Sequence, residues 1–77
     1  MNKAILEKVI KIISKSINIK QELLNKNSCA SDFYEWDSLA QIKIILSINK
    51  EFNIKIKTSQ ISNLNSVSKI VSLLDRK

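Results

Sequence analysis

The chain carries few groups able to do chemistry, and one of them stands at a structural junction. Ser38 lies in Glu35-Trp36-Asp37-Ser38-Leu39-Ala40-Gln41-Ile42, where an acidic, aromatic stretch gives way to a helical pattern. Asp37 is a strong N-cap residue, because its carboxylate can accept from the free backbone N–H groups of the next turn. Ser38 then takes the first helical position, with its hydroxyl outside the packed face. A helix N-terminus carries partial positive charge and unpaired N–H groups, so it favours a phosphate nearby. The chemistry this spacing suits is a phosphodiester formed on the Ser38 hydroxyl. The plainer reading is that Ser38 only helps to cap the helix. Aspartate-serine pairs at helix starts are common, so the pair alone does not choose.

Catalysis by the remaining groups is not expected. There is no histidine to activate Ser38 or Cys29. The carboxylates Asp32, Glu35 and Asp37 share one stretch without a partner set. Zinc sites of the Cys/His type are excluded, and no glycine exists to build a phosphate-cradling loop. No catalytic and no metal-ligating residue is therefore assigned. The single cysteine cannot form an intrachain disulfide, which fits a reducing compartment. Without a histidine or basic neighbour, Cys29 reads as a passive small side chain. The N-terminus lacks the apolar core of a signal peptide, and no apolar run approaches membrane-spanning length. A soluble cytoplasmic monomer is the expectation.

The 77 residues suffice for one small domain, taken as 1–77. With Met1 at one end and little chain after the last helical pattern, a freestanding protein is expected. Apolar residues make up 44%, mostly Ile, Leu and Val, which argues against disorder. With no Pro and no Gly, turns fall to Asn, Ser and Asp. The net charge of +6 would suit nucleic acid or an anionic surface. Yet no lysine stands between Lys26 and Lys43, so the Ser38 junction is locally acidic.

Four segments position this junction. Residues 3–16 form an amphipathic helix in which Ile5, Val9, Ile12 and Ile13 fall at i, i+4, i+7 and i+8. Leu6 and Ile10 widen the stripe, Asn2 is its cap, and Lys3, Lys8, Lys11 and Lys15 are solvated. From Ile17 to Trp36 the period is poor, and a loop this long in a small domain tends to be functional or self-packed. Ile19, Leu23 and Leu24 suit a short helical turn. Leu23, Leu24, Phe33 and Trp36 are the expected anchors. Residues 38–52 form the second helix, with Ile45, Ile48 and Phe52 as one core stripe and Ile44 extending it. Leu39, Ile42 and Leu46 form a second flank beginning beside Ser38. That flank is either more core or an exposed docking surface, and the pattern does not separate the two. Lys43, Ser47, Lys50 and Glu51 form the polar strip. Asn53 suits a left-handed C-cap. Ile54-Lys55-Ile56-Lys57 alternates like a strand but has no second strand to pair with, so it reads as a connector. Thr58 caps a short turn through Ile61 and Leu64. Ser66 caps a last helix built on Val67, Ile70, Val71 and Leu74, with Arg76 and Lys77 at its favourable end.

The order and spacing of these pieces resemble the acyl carrier protein family, including its peptidyl and aminoacyl carriers. The match spans the chain. It comprises a long first helix, a long loop, Asp37-Ser38-Leu39 opening the second helix, Glu51-Phe52 closing it, a short third helix and Val67-x-x-Ile70-Val71-x-x-Leu74. The resemblance implies an all-α four-helix bundle with a short third helix and a long loop between helices one and two. It implies a carrier, not an enzyme. Ser38 matches the serine that a phosphopantetheinyl transferase loads with 4′-phosphopantetheine from coenzyme A, and Asp37 and Leu39 match its neighbours. The arm ends in a thiol that carries an acyl or aminoacyl group as a thioester. A loading ligase and downstream acyl-transfer enzymes are the implied partners. Ile42 and Leu46 match positions that touch partners through apolar contact, and Lys43 lies between them.

The chain also departs from the family. Ala40, Lys43, Asn49 and Lys50 stand where carriers of fatty-acid synthesis commonly place acids. Glu35-Trp36 replaces a glycine-containing lead-in. Both features point to a specialised pathway such as polyketide, peptide or surface-glycan modification. Two other readings compete. A small basic nucleic-acid-binding domain would use the scattered lysines, but the second helix is too apolar to lie in a groove. An unmodified carrier-like adaptor would keep the fold and leave Ser38 bare.

Overall fold

The computed structural model describes residues 2–76, so Met1 and Lys77 lie outside it. Four α-helices form among the described residues: α1 (Lys3–Ile17), α2 (Ser38–Phe52), α3 (Thr58–Ile61) and α4 (Val67–Asp75). Two short 3-10 turns, Gln21–Leu23 and Ala30–Asp32, punctuate the loop between α1 and α2. This is the all-α bundle with a short third helix that the sequence implied.

The helix starts follow from local chemistry. Asn2 Oδ1 accepts from the backbone N–H of Ala4 at 2.9 Å and of Ile5 at 3.2 Å. Ser66 Oγ accepts from the N–H of Lys69 at 3.2 Å. Each satisfies a donor that the first turn of a helix otherwise leaves open. The helices then bury their stripes. Val9, Ile13 and Ile17 of α1 meet Ile44, Ile45 and Ile48 of α2 and the α4 quartet Val67, Ile70, Val71 and Leu74 in one core. Ile5, Leu6, Ile10 and Ile12 pack at its edge. α1 packs against both α2 and α4. The backbone N–H of Asn2 donates to Asp75 Oδ2 at 3.2 Å, which ties the start of α1 to the end of α4.

Two helices end on asparagine in the left-handed region: Asn53 (φ 53°, ψ 49°) after α2 and Asn18 (φ 58°, ψ 49°) after α1. The second of these was legible by the same rule but was masked by the apolar Ile17 and Ile19 around it. Glycine adopts this conformation without the Cβ penalty. Asn53→Gly is therefore expected to keep or raise the melting temperature, whereas Asn53→Ala costs about 1 kcal/mol. Thermal unfolding of the two variants against wild type checks the sign.

Two expectations are corrected, one in the loop and one at α3. Leu24 and Trp36 are buried and Phe33 is half-buried, as anchors should be, but Leu23 is 59% exposed. Leu23 and Leu24 are consecutive in a tight turn, with their N–H groups bonded to the carbonyls of Lys20 and Gln21. Side chains at successive positions of such a turn point about 120° apart, so only one can reach the core. The other correction concerns Thr58, which does not cap α3. The turn starts one residue earlier, Lys57 holds the cap position, and Gln60 Oε1 accepts from the N–H of Lys57 at 3.4 Å. Inside the turn, the Thr58 hydroxyl no longer stands ahead of the free N–H groups.

Residues 54–57 form the extended connector expected, with Ile56 buried and Ile54 half-buried. The long loop is stitched to the start of α4. Ala30 N–H donates to Asn65 O at 2.8 Å, and Val67 N–H donates to Ser28 O at 2.9 Å, around an antiparallel bridge between Cys29 and Ser66.

Candidate functional site

The site is assembled where the loop meets α2. Asp37 is extended (φ −95°, ψ −172°), and its Oδ1 accepts from the N–H of Ala40 at 2.9 Å. Its own carbonyl accepts the first helical bond, from Gln41 N–H at 2.9 Å. Ser38 is therefore the first residue of a 15-residue helix, and it is exposed. The carboxylate satisfies one of the end N–H groups, and the helix keeps its positive end facing the serine.

Trp36 fixes the approach. It is 4% exposed, and its indole N–H donates to Gln41 Oε1 at 2.6 Å. Gln41 Nε2 donates to the carbonyls of Ile61 at 2.8 Å and Leu64 at 2.7 Å. Gln41 had no role in the sequence reading. The available signal was an amide inside an apolar helix, five residues after the lone tryptophan. A buried amide needs partners, and no buried side-chain nitrogen or oxygen among the described residues lacks one.

An open cleft of about 690 Å³ adjoins the serine, with Trp36, Ser38, Gln41, Ile42, Thr58 and Ile61 among its lining. It lies between the start of α2 and α3. The apolar residues of α2 divide sharply. Ile44, Ile45 and Ile48 are buried, whereas Leu39 is 65%, Ile42 47% and Leu46 62% exposed. Lys43 is exposed between them, and Lys50 is exposed further down the helix. Phe52 is half-buried, with the Lys8 ammonium 5.8 Å from its ring centroid.

The other chemical groups stand apart. Cys29 is a free, half-buried thiol whose Sγ lies 3.3 Å from Asp32 Oδ2. That same carboxylate oxygen accepts from the Cys29 N–H at 3.1 Å, so Asp32 serves the turn. No group of three acidic, histidine or cysteine side chains gathers among the described residues. No helix of the described residues is long and apolar enough to cross a membrane.

Comparison with known proteins agrees with this architecture. Residues 7–74 match the family described as "Phosphopantetheine attachment site". The chain is 37% identical over 71 residues to the acyl carrier protein of Buchnera aphidicola subsp. Schizaphis graminum (strain Sg), covering 92% of this chain and 90% of the relative. It is 31% identical over 75 residues to the acyl carrier protein of Buchnera aphidicola subsp. Acyrthosiphon pisum (strain APS), covering 97% and 94%. The chain belongs to the acyl carrier protein family, whose members are non-catalytic carriers bearing a covalent 4′-phosphopantetheine. The exposed hydroxyl at a helix N-terminus, beside a cleft, fits that group.

Proposed function

We propose that Ser38 is the residue that receives 4′-phosphopantetheine from coenzyme A, and that residues 1–77 act as one carrier domain. The observation that carries this reading is the placement of an exposed Ser38 hydroxyl at the positive end of α2, behind an aspartate cap. When attached, the group supplies a terminal thiol that holds an acyl or aminoacyl cargo as a thioester. Asp37 and Leu39 frame the attachment point. A tether of this kind lets one cargo visit several enzymes at raised local concentration. A phosphopantetheinyl transferase, a loading ligase and downstream acyl-transfer enzymes are the partners. We place the carrier in the cytoplasm, which the single unpaired cysteine supports.

The pathway is read as specialised. Lys43 and Lys50 line the exposed side of α2, so partners that select an acidic carrier would meet the wrong sign of charge. The Glu35-Trp36 lead-in supports the same reading. The nucleic-acid alternative gains nothing from the fold, since the exposed flank of α2 is apolar.

The test is intact mass after incubation with coenzyme A and a broad-specificity transferase. A gain of one phosphopantetheine arm is the expected result. No gain, with that enzyme and with one from the source organism, overturns the reading.

Leu39, Ile42, Lys43 and Leu46 are proposed as the docking flank. Leu46→Ala is expected to raise the KM of the transferase for this protein about three- to tenfold, the effect of losing one central apolar contact. Steady-state kinetics checks it, and an unchanged KM removes Leu46 from the flank.

A further inference from the structure

We propose that Gln41 is a positioning residue whose side-chain amide locks the loop before Ser38 to α3, and thereby sets the surface on which partner enzymes dock. The proposal rests on the reading of Ser38 as the attachment residue. Its basis is a three-bond junction. Gln41 is 8% exposed, accepts from the Trp36 indole, and uses both amide hydrogens on the Ile61 and Leu64 carbonyls.

α3 contributes only Ile61 to the edge of the core. It is four residues long, and Thr58, Ser59 and Gln60 are exposed. A helix that short leaves all its carbonyls without a full set of internal partners. The surrounding segment is anchored to the core by Ile56 and Leu64, with Ile54 and Ile61 half-buried. α2 grips this segment at both ends through side-chain amides. Asn49 Oδ1 accepts from the Ile56 N–H at 3.1 Å, and Gln41 holds the carbonyls of Ile61 and Leu64. Few apolar contacts and a small number of specific bonds make a segment that opens locally unless those bonds persist.

The lock joins opposite walls of one cleft. Trp36 and Asp37 line the loop side, Ile61 and Ser62 line the α3 side, and Ser38 lies among them. The serine itself is placed by the Asp37 cap and by the α2 backbone, neither of which needs α3. Loss of the lock should therefore disturb docking and leave the reacting hydroxyl in place. In kinetic terms KM rises and kcat holds. Because partial unfolding of a protein substrate raises its apparent KM in the same way, faster exchange confined to residues 61–64 and the indole is what separates loss of the lock from general destabilisation.

Two substitutions separate the halves of the junction. Gln41→Met keeps length and volume and removes all three bonds. Trp36→Phe removes the indole donor and leaves both bonds to α3. The chain has one tryptophan, so its indole N–H gives a single assignable resonance. With the full apo chain, Gln41→Met is expected to raise the transferase KM about tenfold with kcat within about twofold. It should also speed amide hydrogen exchange in residues 61–64 and at the indole. Trp36→Phe should raise KM less and leave exchange in residues 61–64 unchanged.

Three results overturn the proposal. One is a folded Gln41→Met with unchanged KM and unchanged exchange. Another is a Trp36→Phe variant that loosens residues 61–64 as much as Gln41→Met does. The last needs no variant: fast exchange of the indole N–H in the wild-type chain. If wild type takes no phosphopantetheine, the attachment reading fails and takes the docking role with it. The exchange measurements still report on the lock itself.

Discussion

Peptide mapping of the loaded protein is expected to place the whole added mass on Ser38, and Ser38→Ala is expected to take none. The prediction is sharp because other hydroxyls share the cleft. Ser31, Thr58 and Ser62 also line it, and all three are exposed. What distinguishes Ser38 is the field around it. It opens a 15-residue helix, where aligned peptide dipoles and free N–H groups favour a phosphate within the first turn. Ser31 sits in a three-residue 3-10 turn, and Thr58 opens a helix of four residues, so neither has a comparable end. Ser66 does start a longer helix, but it is half-buried and its oxygen accepts from the Lys69 N–H. Ser38→Ala should fold normally. The side chain is exposed and Asp37 supplies the cap, so stability should change by no more than about 0.5 kcal/mol. Mass on Ser31, Thr58 or Ser62, or loading that persists in Ser38→Ala, would defeat the assignment.

Truncation within α2 is the second large effect, and it depends entirely on which face is cut. Ile44 is fully buried in the core, and Ile44→Ala removes its packing and leaves a cavity. Such changes cost about 2–5 kcal/mol. A domain of this size has on the order of 4–12 kcal/mol of stability in all. For domains this small, each kcal/mol moves the melting temperature by about 4–8 °C. Ile44→Ala should therefore melt about 8–40 °C below wild type, and near room temperature in the worst case. Leu46 is two residues away on the same helix and is 62% exposed, so Leu46→Ala should cost no more than about 0.5 kcal/mol. Calorimetry of the pair reads both. Equal losses would mean that the faces of α2 are assigned wrongly.

The contrast between Ile44 and Leu46 marks the boundary of what a sequence can say here. Helix spans and most caps are local matters. The 3.6-residue period of Val9 and Ile13, the cap chemistry of Asn2, Asp37 and Ser66, and the left-handed preference of Asn53 each involve residues a few positions apart. The junction at Ser38 is legible for the same reason, since its aspartate, its serine and the helix they start are contiguous. Three other features are not local. The exposure of Leu39, Ile42 and Leu46 depends on α1 packing against the opposite side of α2 and leaving this flank uncovered. The choice of Leu24 over Leu23 as an anchor depends on where the core lies relative to a turn. Gln41 reads as an ordinary polar residue until carbonyls 20 and 23 positions further on are brought against its amide. Residue type and spacing determined the proposed attachment point and the helix that displays it. Only the packing of distant segments decided which apolar flank faces solvent and which buried amide joins the walls of the cleft.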